Sequence, residues 1–138
     1  MRCERINGEQ TLTKARSNQG PGRARLNPDV EYPMILITGR QLEHWHTGAM
    51  TRRASVLDAI EPEAVASMNT ADLKALGVAP GDLITVASRR GRISLVARAD
   101  DGTPKGAVFI PFCYHEAAAN LLTNAALDPF GKIPEFKF

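Results

Sequence analysis

The apolar residues of this chain come in short β-prone runs, each closed within a few positions by glycine, proline, asparagine or aspartate. That punctuation constrains the fold more than any other feature. Met34, Ile35, Leu36 and Ile37 form one continuous run, stopped by Thr38 and Gly39, and read as a strand buried on both faces. Residues 64–68 read as a second strand. Residues 83–88 and 92–99 form two further runs joined by Arg89, Arg90 and Gly91, a hairpin signal in which Ile93, Leu95 and Ala97 share one face. Residues 107–112 make another buried strand. Helical sequence is confined to short pieces. One lies near residues 50–57. A second covers 71–76, with Asn69 or Thr70 as cap and Gly77 as its left-handed stop, and a third runs from about 116 to 126, ending before Asp128 and Pro129. Many short strands, few short helices and no strict strand–helix alternation predict a mainly β fold, a small barrel with helical insertions.

At 138 residues the chain is long enough for one domain. Residues 1–30 are polar and carry Asn7-Gly8 and Gly20-Pro21-Gly22, so they read as a flexible N-terminal arm or linker remnant, with one short strand near 23–26. Residues 31–138 read as the folded domain. Net charge is only +2, too balanced for a general nucleic-acid binder. Its distribution is uneven: residues 1–53 hold nine basic against five acidic side chains, and residues 54–138 hold eight against ten. Positive charge is therefore concentrated where an anionic ligand could use it. Cys3 and Cys113 are far apart and belong to no Cys-x-x-Cys pair, which argues against a disulfide scaffold or an iron–sulfur cluster and fits a reducing compartment. No apolar run approaches a membrane span and the start has no apolar signal core, so the localisation read here is cytoplasmic.

The residues with chemical capacity cluster between 38 and 53. Thr38, Gly39 and Arg40 end a strand at a glycine, where backbone N–H groups and a guanidinium can meet an anion, with Arg52 and Arg53 a short distance on. His44, Trp45 and His46 form the most unusual cluster. Two histidines at i and i+2 could ligate a metal, though no third ligand is in view; a polar-ligand site and a structured loop with backbone-bonded histidines are the two other readings left open. Cys113 beside His115 lacks a third orienting group and reads as a buried, inert thiol. Glu61 with Glu63, and Asp100 with Asp101, read as solvated carboxylates. Arg89, Arg90 and Arg92 suggest a nucleic-acid patch, but with no aromatic stacking partners an exposed hairpin tip is the simpler reading.

The order of these motifs carries a resemblance. Tyr32-Pro33-Met34-Ile35-Leu36-Ile37-Thr38-Gly39-Arg40 followed by Leu42-Glu43-His44-Trp45-His46-Thr47-Gly48-Ala49-Met50-Thr51-Arg52-Arg53 resembles the C-terminal molybdopterin-dinucleotide-binding domain of molybdenum or tungsten oxidoreductases. Asn69-Thr70-Ala71-Asp72, Leu76-Gly77, Pro80-Gly81-Asp82, Ser88-Arg89-Arg90-Gly91, Ile110-Pro111-Phe112, Asn120-Leu121-Leu122-Thr123 and Pro134-Glu135-Phe136-Lys137 follow in the same order, so the likeness covers about residues 23–138. The wording is nearest to formate dehydrogenase α subunits, with periplasmic-type nitrate reductases next.

This resemblance implies a double-psi β-barrel of the aspartate-decarboxylase-like kind. It also implies a site for molybdopterin guanine dinucleotide, with molybdenum or tungsten held by partner domains. Carried over position by position, cofactor binding falls to Thr38, Gly39, Arg40, Glu43, His44, Trp45, His46, Thr47, Asn120 and Lys137, with Phe112 on the substrate side. Cys113 does not match the position of the metal ligand, and the iron–sulfur cysteines of the larger enzymes have no counterpart. The implied role is thus a cofactor-binding domain or small subunit of a formate dehydrogenase-like oxidoreductase, not catalytic alone, whose partners are the remaining domains or subunits. The alternative, from another class, is a stand-alone double-psi barrel serving as a protein-interaction module.

Overall fold

Strict alternation in residues 92–99 sets the first strand pair. Ile93, Leu95 and Ala97 are buried while Ser94 is exposed, as a half-buried strand requires. In the computed structural model, which describes residues 1–5 and 28–133, this segment is β5 (Arg92–Ala99). It pairs antiparallel with β4 (Leu83–Ala87), placing Val86 opposite Ile93 and Ile84 opposite Leu95. All four of those side chains are buried, so the register is held by the core. The hairpin turn closes with the Ser88 N–H donating to the Gly91 carbonyl at 2.8 Å.

The other strands pack around this pair. β3 (Val65–Met68) runs parallel to β5 and antiparallel to β6 (Ala107–Pro111), and β2 (Ile35–Gly39) runs parallel to β6 with Ile37 opposite Phe109. At the far side β1 (Arg2–Arg5) pairs antiparallel with β4. The result is one mixed six-stranded sheet in the order β1-β4-β5-β3-β6-β2. Its two edge strands approach each other at one end, where the Met34 N–H donates to the Met1 carbonyl at 3.1 Å. One inner face holds a single core built on Met68, Leu73, Ile84, Leu95, Ile110, Tyr114 and Leu122.

Four expectations change. Residues 2–5, placed in a flexible arm, form an edge strand. The strand at 34–37, expected to be buried on both faces, starts at Ile35 and is covered on one only: Ile35 and Ile37 are 47% and 38% exposed because β2 lies at the sheet edge. The doubly buried strands are β6 and its other neighbour β3, which is buried at every position. The helix expected near 50–57 divides into a 3₁₀ turn (Thr51–Arg53) and α1 (Ser55–Ile60). The helix expected over 116–126 is absent except for a 3₁₀ turn at Ala119–Leu122. Alanine favours helix, but Ala117, Ala119 and Leu122 are each buried against the core, and an extended Ala118 is what lets the backbone follow that surface.

By contrast, α2 (Thr70–Ala75) forms where its signals lie. Asn69 is the cap, extended in backbone and accepting the Ala71 N–H at 3.0 Å on its side-chain oxygen, and Gly77 ends the helix at φ +65°. Residues 23–26, expected to hold a short strand, lie outside the described residues. Among the described residues no helix is long and apolar enough to cross a membrane.

Candidate cofactor-binding site

Strand β2 ends at Gly39, where the backbone passes close to the Phe109 ring. A Cβ at Gly39 would sit 2.5 Å from Phe109 Cε2. The Gly39 carbonyl accepts the Phe112 N–H at 3.1 Å, so the chain leaving β2 and the chain leaving β6 stay side by side. From this point residues 40–50 fold as consecutive tight turns. The His44 N–H donates to the Gln41 carbonyl at 3.2 Å and the Gly48 N–H to the Trp45 carbonyl at 2.9 Å. His46 takes φ +50°, a strained choice for a non-glycine residue, and Gly48 takes φ +74°. Gly48 also has no room for a side chain, since a Cβ would lie 2.7 Å from Arg52 Cγ and 2.9 Å from the Cys113 carbonyl oxygen.

The loop divides its side chains between two sides. Arg40, Trp45, His46 and Thr47 are exposed. The Arg40 guanidinium lies 5.7 Å from the Trp45 ring centre and 3.5 Å from His46 Nε2, and the Trp45 and His46 rings meet edge to face at 4.6 Å. The result is a surface group of one cation, one flat aromatic face and one ring that can donate or accept. A 3.5 Å contact is at the limit of a hydrogen bond, and among the described residues it is Arg40's one polar side-chain partner. The guanidinium is otherwise exposed. Thr38 is half-buried at the base of the loop, and Glu43 accepts the Gln41 amide at 2.8 Å.

On the other side His44 is buried, 2% exposed, with both ring nitrogens engaged. Nε2 donates to the Glu61 carbonyl at 3.0 Å and Nδ1 lies 3.3 Å from the Thr51 hydroxyl, which also accepts the Trp45 N–H at 3.0 Å. Of the readings left open for the histidine pair, His44 therefore follows the structured-loop one, and only His46 offers an imidazole to a ligand.

Arg52 and Arg53, paired in the sequence as candidate anion contacts, are separated. Arg53 is exposed, whereas Arg52 turns inward. Arg52 donates to Asp58 (2.9 Å), Glu116 (2.6 Å) and the Pro62 carbonyl (3.3 Å), and its guanidinium lies 4.7 Å from the Tyr114 ring centre. Burial acts to raise the Glu116 pKa, but the hydrogen bond and charge of Arg52 outweigh it and hold the carboxyl below its ordinary value. Tyr114 donates its hydroxyl to the same Glu61 carbonyl that His44 uses, and the Glu61 carboxylate pairs with Arg98 at 2.7 Å. Thr51, Glu61 and Tyr114 were missed as site supports by the sequence. A threonine at the start of a short helical turn is a faint signal, and no local pattern links residues 61 and 114.

The other expected positions scatter. Phe112 is half-buried beside Gly39. Asn120 is exposed in the 3₁₀ turn that packs against β5, where the Leu121 carbonyl leaves no space for a Cβ at Gly91. Lys137 lies outside the described residues. Cys113 is buried, and burial raises its thiol pKa, which suits an inert thiol. Arg89, at the hairpin tip, pairs with Asp29 and lies 4.5 Å from the Tyr32 ring centre, so it is occupied by its own fold.

Comparison with known proteins fits this geometry to a family. The model of the "Molydopterin dinucleotide binding domain" matches residues 34–138, from the start of β2 through the loop and beyond. The chain belongs to that family. Its curated relatives include the F420-dependent formate dehydrogenase subunit alpha of Methanocaldococcus jannaschii, 49% identical over 110 residues (80% of this chain, 16% of the relative). The F420-dependent formate dehydrogenase 2 subunit alpha of Methanococcus maripaludis is 43% identical over 109 residues, with 79% and 16% coverage. The chain thus spans about a sixth of the length of these relatives. Among solved structures, acetylene hydratase from Pelobacter acetylenicus superposes with a TM-score of 0.67 at 23% identity, covering 77% of this chain and 17% of that one, which extends the fold to a distant protein.

Proposed function

We propose that this chain is the dinucleotide-binding domain of a formate dehydrogenase-like oxidoreductase, with residues 31–138 as the binding domain and residues 38–47 as its principal contact with molybdopterin guanine dinucleotide. The observation that carries the reading is the outward group of Arg40, Trp45 and His46, set on the turn that follows a parallel strand. Its donor set suits an anionic heterocycle. A guanidinium takes a phosphate by two parallel bonds, an exposed indole covers a flat ring, and an imidazole meets a ring edge as donor or acceptor. Thr38, Gly39 and Thr47 add hydroxyl and backbone donors, with Glu43 able to accept from a pterin edge. His44 serves by holding the loop. Phe112 borders the site, and Asn120 and Lys137 complete the set that the family likeness suggests.

When bound, the cofactor supplies a metal centre and its two-electron chemistry. This chain's residues bind the group, orient it and exclude water around it. Among the described residues no group of three His, Cys, Asp or Glu side chains is placed to hold a metal ion. The reading that partner domains hold the metal rests on the family likeness.

We also read the architecture as a double-psi β-barrel. The Met1–Met34 backbone pair between the two edge strands and the mixture of parallel and antiparallel neighbours support it. Leu42, Met50, Val56 and Ile60 are well exposed near the loop, as on a face that the remaining domains of a larger subunit would cover. Two free thiols suit a cytoplasmic setting.

The test is titration of the 138-residue chain with molybdopterin guanine dinucleotide while following Trp45 fluorescence, which reports on the loop alone because the chain has one tryptophan. Saturable change is expected, and Arg40→Ala should weaken it about tenfold, the loss of one charge-assisted contact. An unchanged Trp45 signal at millimolar cofactor overturns the assignment.

A further inference from the structure

Within the site just proposed, on which this inference rests, one group touches the contact residues from behind. The Thr51 hydroxyl lies 3.0 Å from the Trp45 backbone nitrogen and 3.3 Å from His44 Nδ1. The chemistry of the partners assigns the protons around a neutral ring. The Glu61 carbonyl can only accept, so His44 Nε2 carries the ring hydrogen and donates it at 3.0 Å. In the neutral ring Nδ1 is then an acceptor, and the Thr51 O–H donates to it. A lone pair of the same oxygen accepts the Trp45 N–H. The Glu61 carbonyl also takes the Tyr114 hydroxyl at 3.0 Å, which uses both of its lone pairs.

The chain of contacts thus runs from Trp45 through Thr51 and His44 to the Glu61 backbone, with each N–H and O–H along it donated. It matters because His46, next in sequence, sits at φ +50°. An unfavourable backbone angle persists only when its surroundings over-determine it. Here the fixed points on either side of His46 are the Trp45 N–H held by Thr51 and the Gly48 N–H held by the Trp45 carbonyl at 2.9 Å.

We infer that Thr51 is a positioning residue. Its hydroxyl, relayed through the Nε2–H tautomer of His44 to the Glu61 carbonyl, holds Trp45 and His46 in the arrangement that receives the cofactor. Thr51 itself touches none of it. The role needs the hydroxyl and not the methyl group, so serine replaces threonine and valine does not.

The experiment uses the 138-residue chain labelled with ¹⁵N. In the wild type, two-bond ring correlations of His44 should show the Nε2–H tautomer with a hydrogen-bonded Nδ1. Finding Nδ1–H instead overturns the relay without any variant. In Thr51→Val the Trp45 amide should exchange about tenfold faster, the size expected for losing one acceptor, while core amides such as those of Met68 and Val108 keep their rates. Thr51→Ser should restore the wild-type rate. Affinity for molybdopterin guanine dinucleotide, read by Trp45 fluorescence, should fall about tenfold in Thr51→Val and recover in Thr51→Ser. Unchanged Trp45 exchange in Thr51→Val, or faster exchange with unchanged affinity, refutes the positioning role. If Thr51→Val does not fold, Thr51→Ser decides: loss of the Nε2–H tautomer or of affinity there refutes the need for a hydroxyl alone. A wild-type chain without any affinity refutes the site reading instead, and the free-protein signals then judge the relay separately.

Discussion

Replacing Arg52 by alanine should destabilise the domain far more than the same change at Arg53, although the two are adjacent and chemically identical. Arg52 is 17% exposed and makes bonds to two carboxylates and a carbonyl over the Tyr114 ring. A charge-assisted bond contributes about 1.5–3 kcal/mol when well buried. Asp58 and Glu116 are 37% and 42% exposed, so water recovers much of that when the guanidinium leaves. The stacking on Tyr114 adds about 1 kcal/mol, and the lost stem exposes the face against Gly48. The total is about 2–3 kcal/mol. For a domain of this size it corresponds to a Tm lower by roughly 6–12 °C.

Arg53 is exposed and has no polar side-chain partner among the described residues, so Arg53→Ala should fall within about 0.5 kcal/mol of the wild type. Arg52→Lys should recover little, because a single ammonium cannot reach Asp58, Glu116 and Pro62 together. Denaturation followed by far-ultraviolet circular dichroism, with Trp45 fluorescence as a second probe, gives all three numbers. Equal Tm values for Arg52→Ala and Arg53→Ala would show that the inward placement of Arg52 carries no energy, and the reasoning would fall.

Gly48→Ala should cost about 2–4 kcal/mol, since the new methyl meets a backbone oxygen at 2.9 Å and the residue keeps φ +74°; a thermal midpoint equal to wild type would contradict it. Acid stability should depend on the same cluster. The folded-state pKa of Glu116 is held below its ordinary 4.5, so its contribution is present above that value and is lost as pH falls through the lowered one. In Arg52→Ala, burial would be opposed at Glu116 only by the backbone hydrogen bond and by His115, so unfolding curves between pH 6 and about 3 should lose the part of their slope that Arg52 supplies. An identical pH dependence in the two proteins would count against the pairing.

Much of the fold was legible because its signals are local. The alternation in β5, the Asn69 cap and the Gly77 stop each act within a few residues, and they produce a strand, a helix start and a helix end where they stand. The β2 edge and the missing helix after Glu116 were not legible. Which face of a strand is covered depends on neighbours distant in sequence, and alanine's helical preference is small beside the burial of Ala117, Ala119 and Leu122.

The candidate site divides in the same way. Sequence alone determined that residues 38–53 concentrate cations, imidazoles and the single indole in one loop after a strand, because residue identity and spacing need no fold to be read. Tertiary structure alone decided which of them face outward. Identical side chains at 52 and 53, and at 44 and 46, take opposite roles because the Glu61 carbonyl, Glu116 and Tyr114 come from elsewhere in the chain. Buried polar groups must find such partners, and exposed ones are free to meet water instead.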